Sequence, residues 1–266
     1  MERWSGRLAA LAVAAGSLLA ACSSDREPAS VAAGEDAVAP APAVTADPTL
    51  SSPDTSSAAT ASPSSTAAAT TPPATTAAPS PVDDPFFDPA GTAPGAPGEI
   101  IRARTFETGD ARLQGWQVLA WSRDVRDEPV AVSGVVVAPS VPATGPRPIL
   151  SWAHGTTGMG DQCAPSRAWG AGRASERALL PALLDVGWVF AATDYQGLGT
   201  PGEHTYVVGQ AEGRNVLDIA RAAQRLAGTG ATAESPVVAW GHSQGGGAAL
   251  FAAELAPTYA PELDVV

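Results

Sequence analysis

Cysteine and histidine are both scarce in this chain: it has two of the first, Cys22 and Cys163, and three of the second, His154, His204 and His242. Two thiols permit at most one intrachain bridge, and if Cys22 is otherwise engaged Cys163 is left as an odd thiol. Positive charge is short as well. Lys and Arg together number 15 against 27 Asp and Glu, a net charge of -12. No basic stripe exists to meet phosphates, which argues against nucleic acid as a partner. The apolar run from Leu8 to Leu19 is too short for a comfortable membrane span. From about Ser23 to Pro81 large apolar side chains are nearly missing, and Ala, Ser, Thr and Pro take their place. Such a segment buries too little surface to offset its conformational entropy.

What is present divides the chain in three. Arg3 and Arg7 precede the Leu8–Leu19 run, and Leu19-Ala20-Ala21-Cys22 closes it, as an export signal over residues 1–21 would. The last four residues look like a bacterial lipobox. That reading makes Cys22 a lipid-modified first residue of the mature chain and places the protein at the cell-envelope membrane. A plain secretory signal, cleaved at an Ala-x-Ala-like site with Cys22 incidental, is the alternative. Residues 22–82 read as a disordered tether whose Ser/Thr-Pro character suits O-glycosylation. The folded part is expected over residues 83–266, from Asp83-Asp84-Pro85-Phe86-Phe87 onward.

Within the folded part the most informative stretch is Gly241-His242-Ser243-Gln244-Gly245. A Gly-x-Ser-x-Gly pentad is a weak pattern alone, but its flanks supply context. Pro236 to Trp240 is a continuous apolar run, as in a strand buried on both faces, and Gly246 to Leu255 reads as a helix packed on the sheet. Strand, tight turn and helix make a nucleophile elbow, in which small neighbours allow a strained backbone at Ser243. The helix start then offers N–H groups to a developing oxyanion.

The remaining pattern is strand–helix alternation. Residues 99–104, 115–121 and 130–137 read as antiparallel leading strands, the last two joined by a turn over Arg123–Glu128. Buried-type strands follow at Ile149–Ala153 and Trp188–Thr193, with a helix capped by Ser175 and stopped at Gly187 between them. A long helix starts near Glu212. Val216, Ile219, Ala220 and Ala223 form its apolar face, and Arg214, Asp218, Arg221 and Arg225 the opposite one. Leu263 to Val266 begins another strand. The expected fold is α/β, a mostly parallel sheet with helices on both faces. Three strand ends, His154-Gly155, Asp194-Tyr195 and Ser243, meet on its carboxyl rim.

Trp152-Ala153-His154-Gly155-Thr156-Thr157-Gly158 with Cys163-Ala164-Pro165-Ser166, then Ala192-Thr193-Asp194-Tyr195-Gln196-Gly197-Leu198-Gly199, then the elbow, resemble the secretory lipase family of α/β-hydrolases, the lipase A-type enzymes. The resemblance covers about residues 83–266. It implies that Ser243 is the acyl nucleophile in hydrolysis of triacylglycerols or simpler carboxylic esters, with no metal or cofactor. It further implies an oxyanion hole from the backbone N–H of Gln244 and one at Thr156.

In this fold the triad runs Ser, then Asp or Glu, then His, yet no histidine follows Ser243. The chain is therefore expected to be the N-terminal portion of a longer hydrolase and inactive by itself. The triad acid and histidine, and the cysteine that pairs with Cys163 in relatives, would lie beyond Val266. His242 is expected to point into the structure around the strand, His154 to shape the oxyanion loop, and His204 to sit on a surface loop. Asp194 is expected to support the site from a strand end. A non-catalytic surface lipoprotein, and a serine peptidase or acyltransferase on the same fold, remain as alternatives.

The lipobox reading is checked by mass spectrometry of the mature N-terminus. A diacylglyceryl-modified Cys22 is expected, since several acyl chains anchor stably where one does not. An unlipidated mature end, at Cys22 or elsewhere, contradicts it.

Overall fold

The computed structural model describes residues 84–266. The expected export signal, Cys22 and the tether lie outside the described residues.

Alternating and continuous apolar runs set the strands: β1 (Ile100–Phe106), β2 (Leu113–Arg123), β3 (Pro129–Pro139), β4 (Ile149–Ala153), β5 (Val189–Thr193) and β6 (Val237–Gly241). They form one sheet in the order β1-β2-β3-β5-β4-β6. β1, β2 and β3 are antiparallel neighbours, and β3 also meets β5 antiparallel. The β2–β3 turn is built by Asp124, whose carboxylate accepts the N–H groups of Arg126 at 2.8 Å and Glu128 at 2.9 Å. β4 pairs in parallel with β5 on one side and β6 on the other. The described sheet is thus mixed, with its parallel part confined to the three strands that carry the site.

Helices α1 (Pro165–Gly170), α2 (Leu180–Val186), α3 (Gly209–Arg225) and α4 (Gln244–Tyr259) cover it. No helix among the described residues is long and apolar enough to cross a membrane. Strand side chains alternate between two cores. Ile149, Ala153, Val189 and Ala191 join Val216, Ala220, Ala248 and Ala252 of α3 and α4 on one face. Leu150, Trp152, Phe190 and Ala192 join Trp169, Leu179 and Leu183 on the other. α3 and α4 approach closely, because a Cβ at Gly213 would sit 2.8 Å from the backbone N of Ala252.

Register fixes the rim. Ala153, the last residue of β4, pairs with Thr193 at the end of β5 and with Gly241 at the end of β6. All three strands therefore release their chains at one level, and His154, Asp194 and the Ser243 turn emerge side by side.

Four local expectations change. Ser175 does not cap a helix: it opens a 3-10 turn, Ser175–Leu179, and its hydroxyl contacts Glu176. β6 is buried at Val237 but only half-buried from Val238 to Trp240, since its far side carries just a parallel bridge from Val237 to Val265 among the described residues. That bridge is all that forms where a strand from Leu263 is expected. α3 starts at Gly209, a turn before Glu212.

The largest change is on the polar face of α3, where Asp218 and Arg221 are buried. Asp218 accepts hydrogen bonds from Ser122 Oγ at 2.5 Å and Tyr259 OH at 2.7 Å, and pairs with Arg221 Nη1 at 2.7 Å. Arg221 also reaches Glu262 Oε1 at 2.6 Å and the Tyr259 carbonyl at 2.8 Å. Burial pushes the Asp218 carboxyl up, opposed by Ser122, Arg221 and Tyr259. Helical periodicity marks a polar face but not what covers it, and here β2 and the end of α4 cover it.

Asp218→Ala removes the buried partner of the Arg221 guanidinium, leaving it Glu262 and the Tyr259 carbonyl, and takes the acceptor from two hydroxyls, so it should cost ~2–4 kcal/mol in a urea melt near neutral pH. Asp110→Ala removes a solvent-accessible pair with Arg112 and an exposed bond from the Arg112 N–H, and should cost less than about 1 kcal/mol. Equal midpoints for the two variants would contradict the buried-network account.

Candidate active site

Ser243 connects β6 to α4 with φ 55° and ψ −123°, a region L-residues rarely occupy. The reason lies in its neighbours. A Cβ at Gly245 would collide with the Ala153 carbonyl oxygen and lie 2.7 Å from that of His154. A Cβ at Gly241 would collide with the Gly245 carbonyl and lie 2.7 Å from that of Ala153. The first turn of α4 is thus pressed against the end of β4, and the residues that flank the turn there, Gly241 and Gly245, have no side chain. The chain must reverse within the Ser243 linkage, leaving the serine exposed. Its side chain makes no capping hydrogen bond. Backbone bonding at the turn begins with Gly245, which donates to the His242 carbonyl at 2.9 Å, and Gly246, which donates to that of Ser243 at 2.9 Å. The Gln244 N–H precedes both at the positive end of the helix.

Across the rim, Gly155-Thr156 leaves β4. Thr156 is exposed, and its hydroxyl lies 3.1 Å from the Tyr206 OH on the loop before α3. His154 is buried, stacked on Tyr195 at 4.4 Å between ring centroids. Its Nδ1 lies 2.6 Å from the Gly155 carbonyl oxygen and its Nε2 3.3 Å from that of Asp194. The Tyr195 OH donates to the His154 carbonyl at 2.9 Å. Both ring nitrogens therefore face main-chain oxygens, and the ring props the loop.

Asp194 is buried under this layer. It accepts from Ser133 Oγ at 2.5 Å, from the Ser166 N–H at 2.8 Å and from the Ser166 hydroxyl. Burial pushes its carboxyl up against those hydrogen bonds. It ties β5 to β3 and α1 and is closed to solvent. His204 is half-buried, with Nδ1 3.1 Å from the Gln196 carbonyl. His242 is exposed, contrary to expectation, and its ring lies against Gly155, where a Cβ would come 2.9 Å from its Nδ1. Cys163 is a free, half-buried thiol. Among the described residues no three His, Cys, Asp or Glu side chains gather as a metal would require.

One participant has no sequence signal beyond its place in a first helical turn. Glu212 of α3 is buried and accepts from Gln244 Nε2 at 2.6 Å and from the Val207 N–H at 2.9 Å. Burial pushes its carboxyl up, opposed by those two donors. Tyr206, Ser133 and Ser166 were equally unassigned, since each acts across elements distant in sequence.

A doubly covered sheet with a strained serine at a strand-to-helix turn on its carboxyl rim defines an α/β-hydrolase. Comparison with known proteins agrees. Candida antarctica lipase A superposes with a TM-score of 0.60 at 28% identity, over 71% of this chain and 45% of that one. The rice cell wall degrading esterase LipA of Xanthomonas oryzae shares the fold, with a TM-score of 0.52 at 23% identity over 65% of this chain and 49% of that one. A "probable inactive lipase" of Mycobacterium tuberculosis is 32% identical over 204 residues, 70% of this chain and 44% of the relative. Lipase 4 of Candida albicans is 34% identical over 199 residues, 69% of this chain and 42% of the relative. The profile of the secretory lipase family matches residues 165–266. This chain is a member of the secretory lipase family. It spans less than half the length of these curated relatives.

Paired glycine substitutions test the elbow. Gly245→Ala should cost ~3 kcal/mol or more in a denaturant melt, because the clash is with backbone that cannot rotate away. Gly247→Ala, two residues on, meets nothing within 4 Å and should stabilise by ~0.5–1 kcal/mol as a helical Gly-to-Ala change. Equal effects would mean that β4 and α4 are not in contact at the turn.

Proposed function

We propose that the protein is an exported serine ester hydrolase, a triacylglycerol lipase or carboxylesterase, acting through an acyl-enzyme at Ser243. The observation that carries this is the conformation of Ser243, held exposed at φ 55° between Gly241 and Gly245. Ser243 Oγ attacks the ester carbonyl carbon as its proton passes to a base, and the alcohol departs. Water then attacks the acyl-enzyme, releasing the acid and restoring the serine. The Gln244 and Thr156 backbone N–H groups supply the oxyanion donors. Membership of the secretory lipase family supports ester or lipid substrates and export. Retention at the membrane through Cys22 belongs to the same proposal.

A second reading has one observation in its favour. Among the described residues no histidine is hydrogen-bonded to Ser243: His154 and His204 face carbonyl oxygens, and His242 lies against Gly155. On that reading the 266 residues form a non-catalytic member. For the 266-residue chain we expect turnover barely above buffer, because a serine without a base is a weak nucleophile at neutral pH.

The test compares that chain with the polypeptide purified from its native host. The native polypeptide should hydrolyse p-nitrophenyl esters, and a fluorophosphonate should label it at Ser243. Ser243→Ala should remove labelling and leave only the roughly 10³–10⁴-fold residual over water that binding and an oxyanion hole provide. Undiminished hydrolysis by the alanine variant would overturn the assignment. Absence of hydrolysis in both preparations would establish the non-catalytic reading. Rapid labelling of the 266-residue chain would mean that His154, His204 or His242 serves as base after all.

A further inference from the structure

We propose that Glu212 is the positioning residue that couples the two sides of the oxyanion site, an inference that rests on the assignment of Ser243, Gln244 and Thr156 above. A single oxygen, Oε1, accepts from the Gln244 side chain at 2.6 Å and from the Val207 N–H at 2.9 Å. The first bond grips the residue after the serine, whose backbone N–H is one donor. The second grips a loop whose preceding residue, Tyr206, contacts Thr156 Oγ1 at 3.1 Å, and Thr156 holds the other donor. Glu212 thus touches neither donor but holds the residues on both sides of the space where an oxyanion would form.

Three features make this more than a helix cap. Val207 has φ 55°, costly for a β-branched residue, so the loop needs a restraint, and the bond to its N–H supplies one. Glu212 and the Gln244 side chain are both buried, so the bond between them is shielded from competing water. Finally, α3 is pinned against α4: Gly209 faces the Phe251 ring and Gly213 the backbone N of Ala252. Glu212 cannot drift relative to Gln244 without parting those helices. Glu212→Gln preserves an oxygen where Oε1 sits, whereas Glu212→Ala removes it.

Two readouts test the coupling. The first needs no turnover: amide hydrogen exchange of the 266-residue chain, followed by mass spectrometry. In Glu212→Ala, residues 205–208 and the hydrogen-bonded amides of Gly245 and Gly246 at the elbow should exchange about tenfold faster or more, while Ala252–Ala256 inside α4 stays protected and reports an intact fold. Glu212→Gln should restore wild-type exchange. Unchanged exchange at Gly245 and Gly246 would overturn the proposal.

The second readout is kinetic, on the native polypeptide. The oxyanion develops only on the way to the transition state, so Glu212→Ala should lower kcat by about 10–100-fold with KM within about twofold. Glu212→Gln should recover most of kcat. Tyr206→Phe cuts only the Thr156 arm, at an exposed residue, and should lower kcat about 3–10-fold. A rise in KM at constant kcat, or wild-type kcat in both Tyr206→Phe and Glu212→Ala, would overturn the proposal. Should the native polypeptide show no hydrolysis, the failure lies with the assignment of Ser243, and the exchange measurement alone decides whether Glu212 couples the 205–208 loop to the elbow.

Discussion

The arrangement of the site depends on the contact between the first turn of α4 and the end of β4. Gly245 lies against the carbonyl oxygens of Ala153 and His154, and Gly241 lies against Gly245. Neither position has room for a Cβ. That approach sets where α4 starts, forces the reversal into the φ 55° of Ser243, and leaves the serine at the surface. Strain of ~1–3 kcal/mol at such a residue persists only where the surroundings over-determine it. Here they are the small residues Ala248, Ala252 and Ala256, which seat α4 on the buried core.

The rim is layered outward from that contact. Deepest lies Asp194, hydrogen-bonded to Ser133 and Ser166 and tying β5 to β3 and α1. Above it, His154 and Tyr195 stack and bond to main-chain oxygens, so their polar atoms serve geometry. Outermost are the exposed Ser243, Thr156 and Tyr206. Polarity is thus graded: Asp194, His154 and Tyr195 are buried and hydrogen-bonded beneath, and the rim is open where a substrate would arrive. A buried polar group lacking partners destabilises a fold, and the carboxyl of Asp194 is held below the rim by several hydrogen bonds.

Much of this was legible in the residues. Ile149–Ala153 and Val189–Thr193 are apolar runs broken only by Ser151 and Thr193, the near-continuous pattern of parallel strands covered on both faces. The elbow was legible because its glycines are a local requirement of a local geometry. What could not be read depends on partners distant in the chain. The α3 positions Asp218 and Arg221 look like a solvated face, yet are buried by Ser122 from β2 and by Tyr259 and Glu262 near the end of α4. Glu212 looks like an ordinary first-turn acid until α4 brings Gln244 to it. His242 was expected inside, but its ring lies exposed against Gly155, a residue distant in the chain. Periodicity reports a residue's own element; burial of a polar group reports what another element places on it.

The central claim is that the elbow presents Ser243 to an acyl carbon with an oxyanion pocket beside it. A crystal structure of the native polypeptide after reaction with a fluorophosphonate tests this most directly, because the tetrahedral phosphorus stands in for the attacked carbon. The account predicts phosphorus bonded to Ser243 Oγ, with the phosphoryl oxygen about 2.7–3.1 Å from the backbone nitrogens of Gln244 and Thr156. An adduct on another residue, or a phosphoryl oxygen turned to solvent away from both nitrogens, would contradict it.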